Sequence, residues 1–154
     1  MDVFDWMERS LLGVAVRDHL WVYPTLLVMH AVGLAFTVGV NLAIALRVFG
    51  VAAALPVQPF ARFLPALYLA FAVNAVSGVG LVFNSPSKWL VDPIFYTKLV
   101  LLALAMVALQ LLNRRVLRAP GALNAGSRTL AAASMLLWAG ALVTGRLMGY
   151  TFFR

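Results

Sequence analysis

Two stretches of this chain carry no charged side chain, Leu20 to Leu46 and Phe63 to Ser87, and two more carry one each: Lys98 between Pro93 and Asn113, and Arg146 between Thr129 and Phe153. Each exceeds the roughly 20 residues that cross ~30 Å of hydrocarbon as a helix. Both lone cations stand near an end of their stretch, where a long side chain reaches the headgroups. The pattern predicts an all-α membrane fold: a four-transmembrane-helix bundle with spans over about 20–47, 62–85, 93–115 and 128–151. Turn residues separate the spans: Pro56 and Pro59, then Asn84-Ser-Pro-Ser87 and Asp92-Pro93, then Pro120-Gly121.

Composition supports this reading. Of the 154 residues 64% are hydrophobic and 11% charged, and the mean hydropathy is +0.96. A soluble domain needs more polar surface than that. The chain is expected to form a single integral membrane domain over 1–154. The absence of cysteine excludes disulfides, thiolate metal sites, iron–sulfur clusters and cysteine nucleophiles. The net charge of +7 sits beside apolar runs, where arginine faces anionic lipid, and does not point to nucleic acid.

Arg47, Arg62, Arg114, Arg115, Arg118 and Arg128 flank the first and third loops without an acid, whereas Asp2, Asp5, Glu8, Asp18 and Asp92 all fall on the other side. The positive-inside rule makes the arginine side cytoplasmic. Both termini are then expected on the periplasmic side of a bacterial inner membrane, with Trp21, Tyr23, Trp89, Tyr96 and Tyr150 as an aromatic belt. Ahead of the first span, Val3, Phe4, Met7, Leu11, Val14 and Ala15 recur at helical spacing among charged residues, which predicts a short amphipathic interfacial helix over about 2–17. Its acids distinguish it from a cleavable signal peptide, so the amino terminus is expected to be retained.

Polar side chains in hydrocarbon are costly, so the few present are where function is sought: His30, Asn41, Asn74, Ser77, Lys98, Gln110, Ser134, Thr144 and Arg146. Counting along the helices puts His30 and Asn74 roughly 12–15 Å deep and Lys98 and Arg146 about 6 Å deep. A neutral histidine at that depth ligates haem iron or a divalent metal, relays protons, or hydrogen-bonds to a neighbouring helix. Gly33, almost one turn from His30, suits close approach of either a flat macrocycle or another helix. Lys98 and Arg146 either snorkel or pair with the propionates of a haem. The two histidines, His19 and His30, stand ~16 Å apart along a helix and cannot ligate one haem from both sides. A five-coordinate haem, a partner such as Met106, or a ligand from another subunit remains. The methionines show no clustered spacing for copper, and no acid lies within a span to support hydrolytic catalysis.

Trp21-Val-Tyr-Pro24, His30-Ala-Val-Gly-Leu-Ala35, Gly39, Leu46-Arg-Val-Phe-Gly50 and Asp92-Pro-Ile-Phe-Tyr-Thr-Lys98 resemble a family of small, uncharacterised bacterial four-helix membrane proteins. The likeness covers most of the chain. More distantly, a histidine followed by glycine in the first span and Lys98-Leu99 in the third are similar to CopD-like domains and to HemJ-type protoporphyrinogen oxidases. The latter resemblance implies a haem-linked role for His30, with Lys98 and Arg146 matching basic residues of the third and fourth helices. The expectation is a haem b-associated membrane subunit of an electron-transfer assembly. In it His30 is the metal ligand, Lys98, Arg146, Asn74 and Gly33 line the cofactor, and quinone or another membrane subunit (or a second copy of the chain) is the partner. The alternatives are a cofactor-free accessory subunit of a larger membrane complex and a HemJ-type porphyrinogen oxidase.

Overall fold

The computed structural model describes residues 2–117 and 123–151, so Arg118, the Pro120-Gly121 turn and Phe153 lie outside the described residues. Among those described the chain is all-α, and four helical stretches are long and apolar enough to cross a membrane: Val22–Val48, Gln58–Val82, Pro93–Leu117 and Ala125–Tyr150. The protein is a multi-pass membrane protein. Its helices are α1 (Val3–Arg9), α2 (Leu11–Asp18), α3 (Val22–Val48), α4 (Leu64–Val82), α5 (Pro86–Trp89), α6 (Pro93–Leu112) and α7 (Ala125–Thr151). At ~1.5 Å per residue, the 27 residues of α3 reach beyond the hydrocarbon into the headgroup layer or tilt.

Local chemistry explains the boundaries. The amphipathic segment expected as one helix is divided at Ser10, whose backbone is extended (φ −63°, ψ 156°). Ser10 Oγ donates to the Met7 carbonyl at 2.6 Å and accepts from the Gly13 amide at 3.1 Å, so one hydroxyl closes α1 and caps α2. Pro24 and Pro93 fall in first turns, where a missing N–H costs nothing. The turn expected around Asn84–Ser87 contains the short helix α5, started by Pro86. The last span begins at Ala125, three residues before the expected start, because Asn124 Oδ1 accepts from the Ser127 amide at 3.0 Å.

The segment Leu46-Arg-Val-Phe-Gly50 is a helix stop. Gly50 adopts φ 98°, its amide bonds to the Arg47 carbonyl at 3.1 Å, and the Val51 amide reaches back to the Leu46 carbonyl at 3.0 Å. This is the Schellman arrangement that glycine's freedom at positive φ permits. Ala52 follows at φ 53°. The Arg47 side chain then ties down the loop by donating to the carbonyls of Ala53, at 2.9 Å, and Leu55.

The chain forms two compact units, residues 1–37 with 66–92 and residues 38–65 with 93–154. In the first, α3 and α4 run antiparallel: Leu26 faces Gly80, His30 faces Gly78, and Gly33 faces Ala70 and Asn74. Their two small and polar surfaces interlock as membrane helices require, since lipid tails give no hydrophobic drive between them. The second has a continuous apolar core in which Ile44, Ala45 and Val48 of α3 meet Leu112, Val116 and Ala131. There α6 and α7 also pack together, with Leu101 against Gly140 and Lys98 against Gly145.

Candidate functional site

The most polar place within a span is the contact between His30 and Asn74. His30 Nδ1 stands 2.9 Å from the Asn74 backbone carbonyl, the Asn74 amide donates to the His30 carbonyl at 2.7 Å, and the same amide nitrogen is 3.2 Å from Nδ1. These contacts conflict unless one is discarded, because Nδ1 cannot both donate to the carbonyl and accept from the amide. The carbonyl decides: it can only accept, and it is the nearer. Nδ1 therefore carries the proton, an assignment made from the network, and the ring's lone pair is on Nε2. Ser77 Oγ is 3.5 Å from Nδ1 and is itself committed to the Val73 and Asn74 carbonyls at 2.6 and 3.1 Å.

Two glycines let the ring and the helix approach. A Cβ on Gly78 would lie 3.0 Å from His30 Cε1, so the imidazole rests on α4 where a side chain is absent. A Cβ on Gly33 would lie 2.6 Å from the Ala70 carbonyl oxygen. Gly33 thus stands where α4 comes close to α3. Asn74 is buried, with its amide engaged on His30, so it positions the histidine. His30 itself is half-buried.

The other predicted residues lie on the second unit. Lys98 extends along α7 with Cε and Nζ each 3.5 Å from where a Cβ of Gly145 would be. Arg146 is exposed, its guanidinium 5.4 Å from the centre of the Tyr150 ring, a cation–π contact. Met106 lies on α6 of the same unit. Buried Asn41 accepts from buried Ser134 at 2.8 Å, a polar clamp between α3 and α7. Thr144 bonds within its own helix to the Gly140 carbonyl at 2.9 Å, and Gln110 is exposed.

Sequence reasoning missed Gly78 and the role of Ser77. The signal was present: Asn74, Ser77 and Gly78 share one face of a helix at offsets of three and four. Among the described residues no group of three or more His, Cys, Asp or Glu side chains could hold a metal ion, so any metal held here would come with a macrocycle or with ligands from elsewhere. No known protein family, curated protein or solved structure matches the chain.

Proposed function

We propose that this protein is a haem-associated membrane subunit of a redox assembly, in which His30 Nε2 would hold the iron. The observation that carries the reading is the 2.9 Å contact from His30 Nδ1 to the Asn74 carbonyl. A histidine that ligates metal has its other ring nitrogen held in this way, which fixes the tautomer and raises the basicity of the coordinating nitrogen. Haem bound there supplies a one-electron carrier within the membrane. The chain's own residues do the rest: the Asn74 carbonyl holds the Nδ1 proton, the Asn74 amide fixes the His30 backbone, and Gly78 admits the ring. In this reading the protein sits in the bacterial inner membrane with both termini periplasmic, supported by the acid-free arginine loops.

A second reading has its own support. The Asn41–Ser134 clamp joins two helices with no ligand chemistry at all, and His30–Asn74 serves a cofactor-free accessory subunit in the same manner.

An oxidised-minus-reduced visible spectrum of the detergent-purified protein, with haem quantified per chain, separates the two. A Soret band that shifts on reduction, at about one haem per one or two chains and absent in His30→Ala, is the expected result. A featureless spectrum after haem supplementation overturns the haem reading and leaves the accessory one.

A further inference from the structure

Where α2 gives way to α3, the first unit has a groove of about 330 Å³. That is at the small end of the roughly 300–1,000 Å³ of small-molecule sites. Its polar lining is Arg17, His19, Tyr23 and Asn84, and Leu20 and Pro24 supply apolar wall. His19, Tyr23 and Asn84 each have a donor to offer, and no acid is among the lining residues. With donors present and no carboxylate, acceptor oxygens suit the groove and a cation does not.

A ligand there needs no negative charge. Arg17, the obvious anchor for an anion, is already committed: its guanidinium donates to the Glu8 backbone carbonyl and lies 3.9 Å from the Glu8 carboxylate. The path out of the groove is apolar. Tyr23 and Pro24, in the first turn of α3, share a helical face with Leu27 at offsets of four and three, and Leu20, in the turn just ahead of the helix, and Leu27 are 80% and 48% exposed. A ligand held here by its polar head can lay a hydrocarbon tail along α3.

We infer that this groove binds the headgroup of an isoprenoid quinone, with Tyr23 and Asn84 donating to its carbonyl oxygens, the ring packed on Pro24 and the tail following Leu27. Quinones combine the required features: two acceptor oxygens, a flat neutral ring and a lipid-soluble tail. The inference deepens the redox reading by giving that assembly a membrane-soluble partner, and its test is read without haem.

The test is photolabelling of the full-length detergent-purified protein with a short-chain azido-ubiquinone, the adducts mapped by mass spectrometry. Adducts confined to residues 16–24 and 84, prevented by excess decylubiquinone, are expected. Loss of two hydrogen bonds in Tyr23→Phe/Asn84→Leu should lower labelling about tenfold or more. Labelling spread along exposed helix faces, or removed by phosphatidylglycerol and not by decylubiquinone, overturns the proposal; the second result assigns the groove to a phospholipid headgroup. The wild-type map and competition decide this even if the double variant misfolds. The wild type keeps the two readings apart: wild-type protein that stays colourless after haem supplementation and still takes the label sinks only the haem assignment, and coloured wild type that takes none sinks only the quinone.

Discussion

At His30, three polar atoms crowd one ring nitrogen, and only one of them, the Asn74 carbonyl, lacks any hydrogen to give. That asymmetry assigns the proton and defines the roles of the neighbours. Asn74→Leu removes the amide that anchors the His30 backbone while leaving the carbonyl. If the haem reading holds, haem affinity should fall, by less than the about 10–100-fold cost of losing an outer-shell partner, because the carbonyl that holds Nδ1 stays. Haem titration by difference spectroscopy reads this, and unchanged affinity would show that the Asn74 side chain does nothing for the ligand. The two glycines separate packing from chemistry. Gly33→Ala drives a methyl against the backbone of α4, which cannot yield, and should cost about 1–3 kcal/mol in a reversible detergent-unfolding assay. Gly78→Ala meets only the movable edge of an imidazole, so it should cost less stability than Gly33→Ala and disturb the spectrum more. The reverse order in both measurements would refute this division. Sequence alone made His30 and Asn74 equal in depth, because depth follows from a 1.5 Å rise. It could not show which faces meet, because phase errors of a single residue rotate a side chain by about 100°.

Among the elements, the least predictable features are the ends of helices. Long runs with at most one charge make each span legible, since twenty residues vote together, but a boundary is decided by one or two side chains. Ser10 is the clearest case: the apolar spacing runs on through it, and only the hydroxyl's double engagement reveals the break. Ser10→Ala should destabilise the start of α2 by about 1 kcal/mol, seen as faster amide exchange at residues 11–14 with α3 unaffected. The loop after α3 makes a prediction of opposite sign. Ala52 occupies a left-handed conformation (φ 53°) that disfavours a residue with a Cβ by about 1–2 kcal/mol. Ala52→Gly relieves that strain at the cost of a more flexible unfolded chain. Slower proteolysis of the 49–57 loop is expected, and faster proteolysis would mean that the entropy term wins. Arg47→Ala, which releases the Ala53 and Leu55 carbonyls, should speed it.

For the whole molecule, the arginine-bearing loops predict an orientation. Reporter fusions at residue 56 and at the carboxyl terminus should mark opposite compartments, with the residue 56 fusion cytoplasmic; the same side for both would require an odd number of crossings between them to be wrong. Charge and hydropathy thus yielded the class of fold and a testable topology. They gave no account of how the helices of each unit meet, because a face is chosen by a few polar and small residues. In the second unit that choice falls on Ser134 and Asn41. A helix surrounded by acyl chains can turn or slide without meeting water, so greasiness imposes no angular setting on it. The 2.8 Å bond from Ser134 Oγ to Asn41 Oδ1 does: a slip of one residue, ~1.5 Å and ~100°, strands both groups. Hydrogen bonds between membrane helices contribute about 0.6 kcal/mol on average, because each group finds alternatives in the unfolded state, so Ser134→Ala should barely lower the unfolding midpoint. The pair works as a keyway does on a shaft, bearing little of the load and fixing the angle at which it is carried.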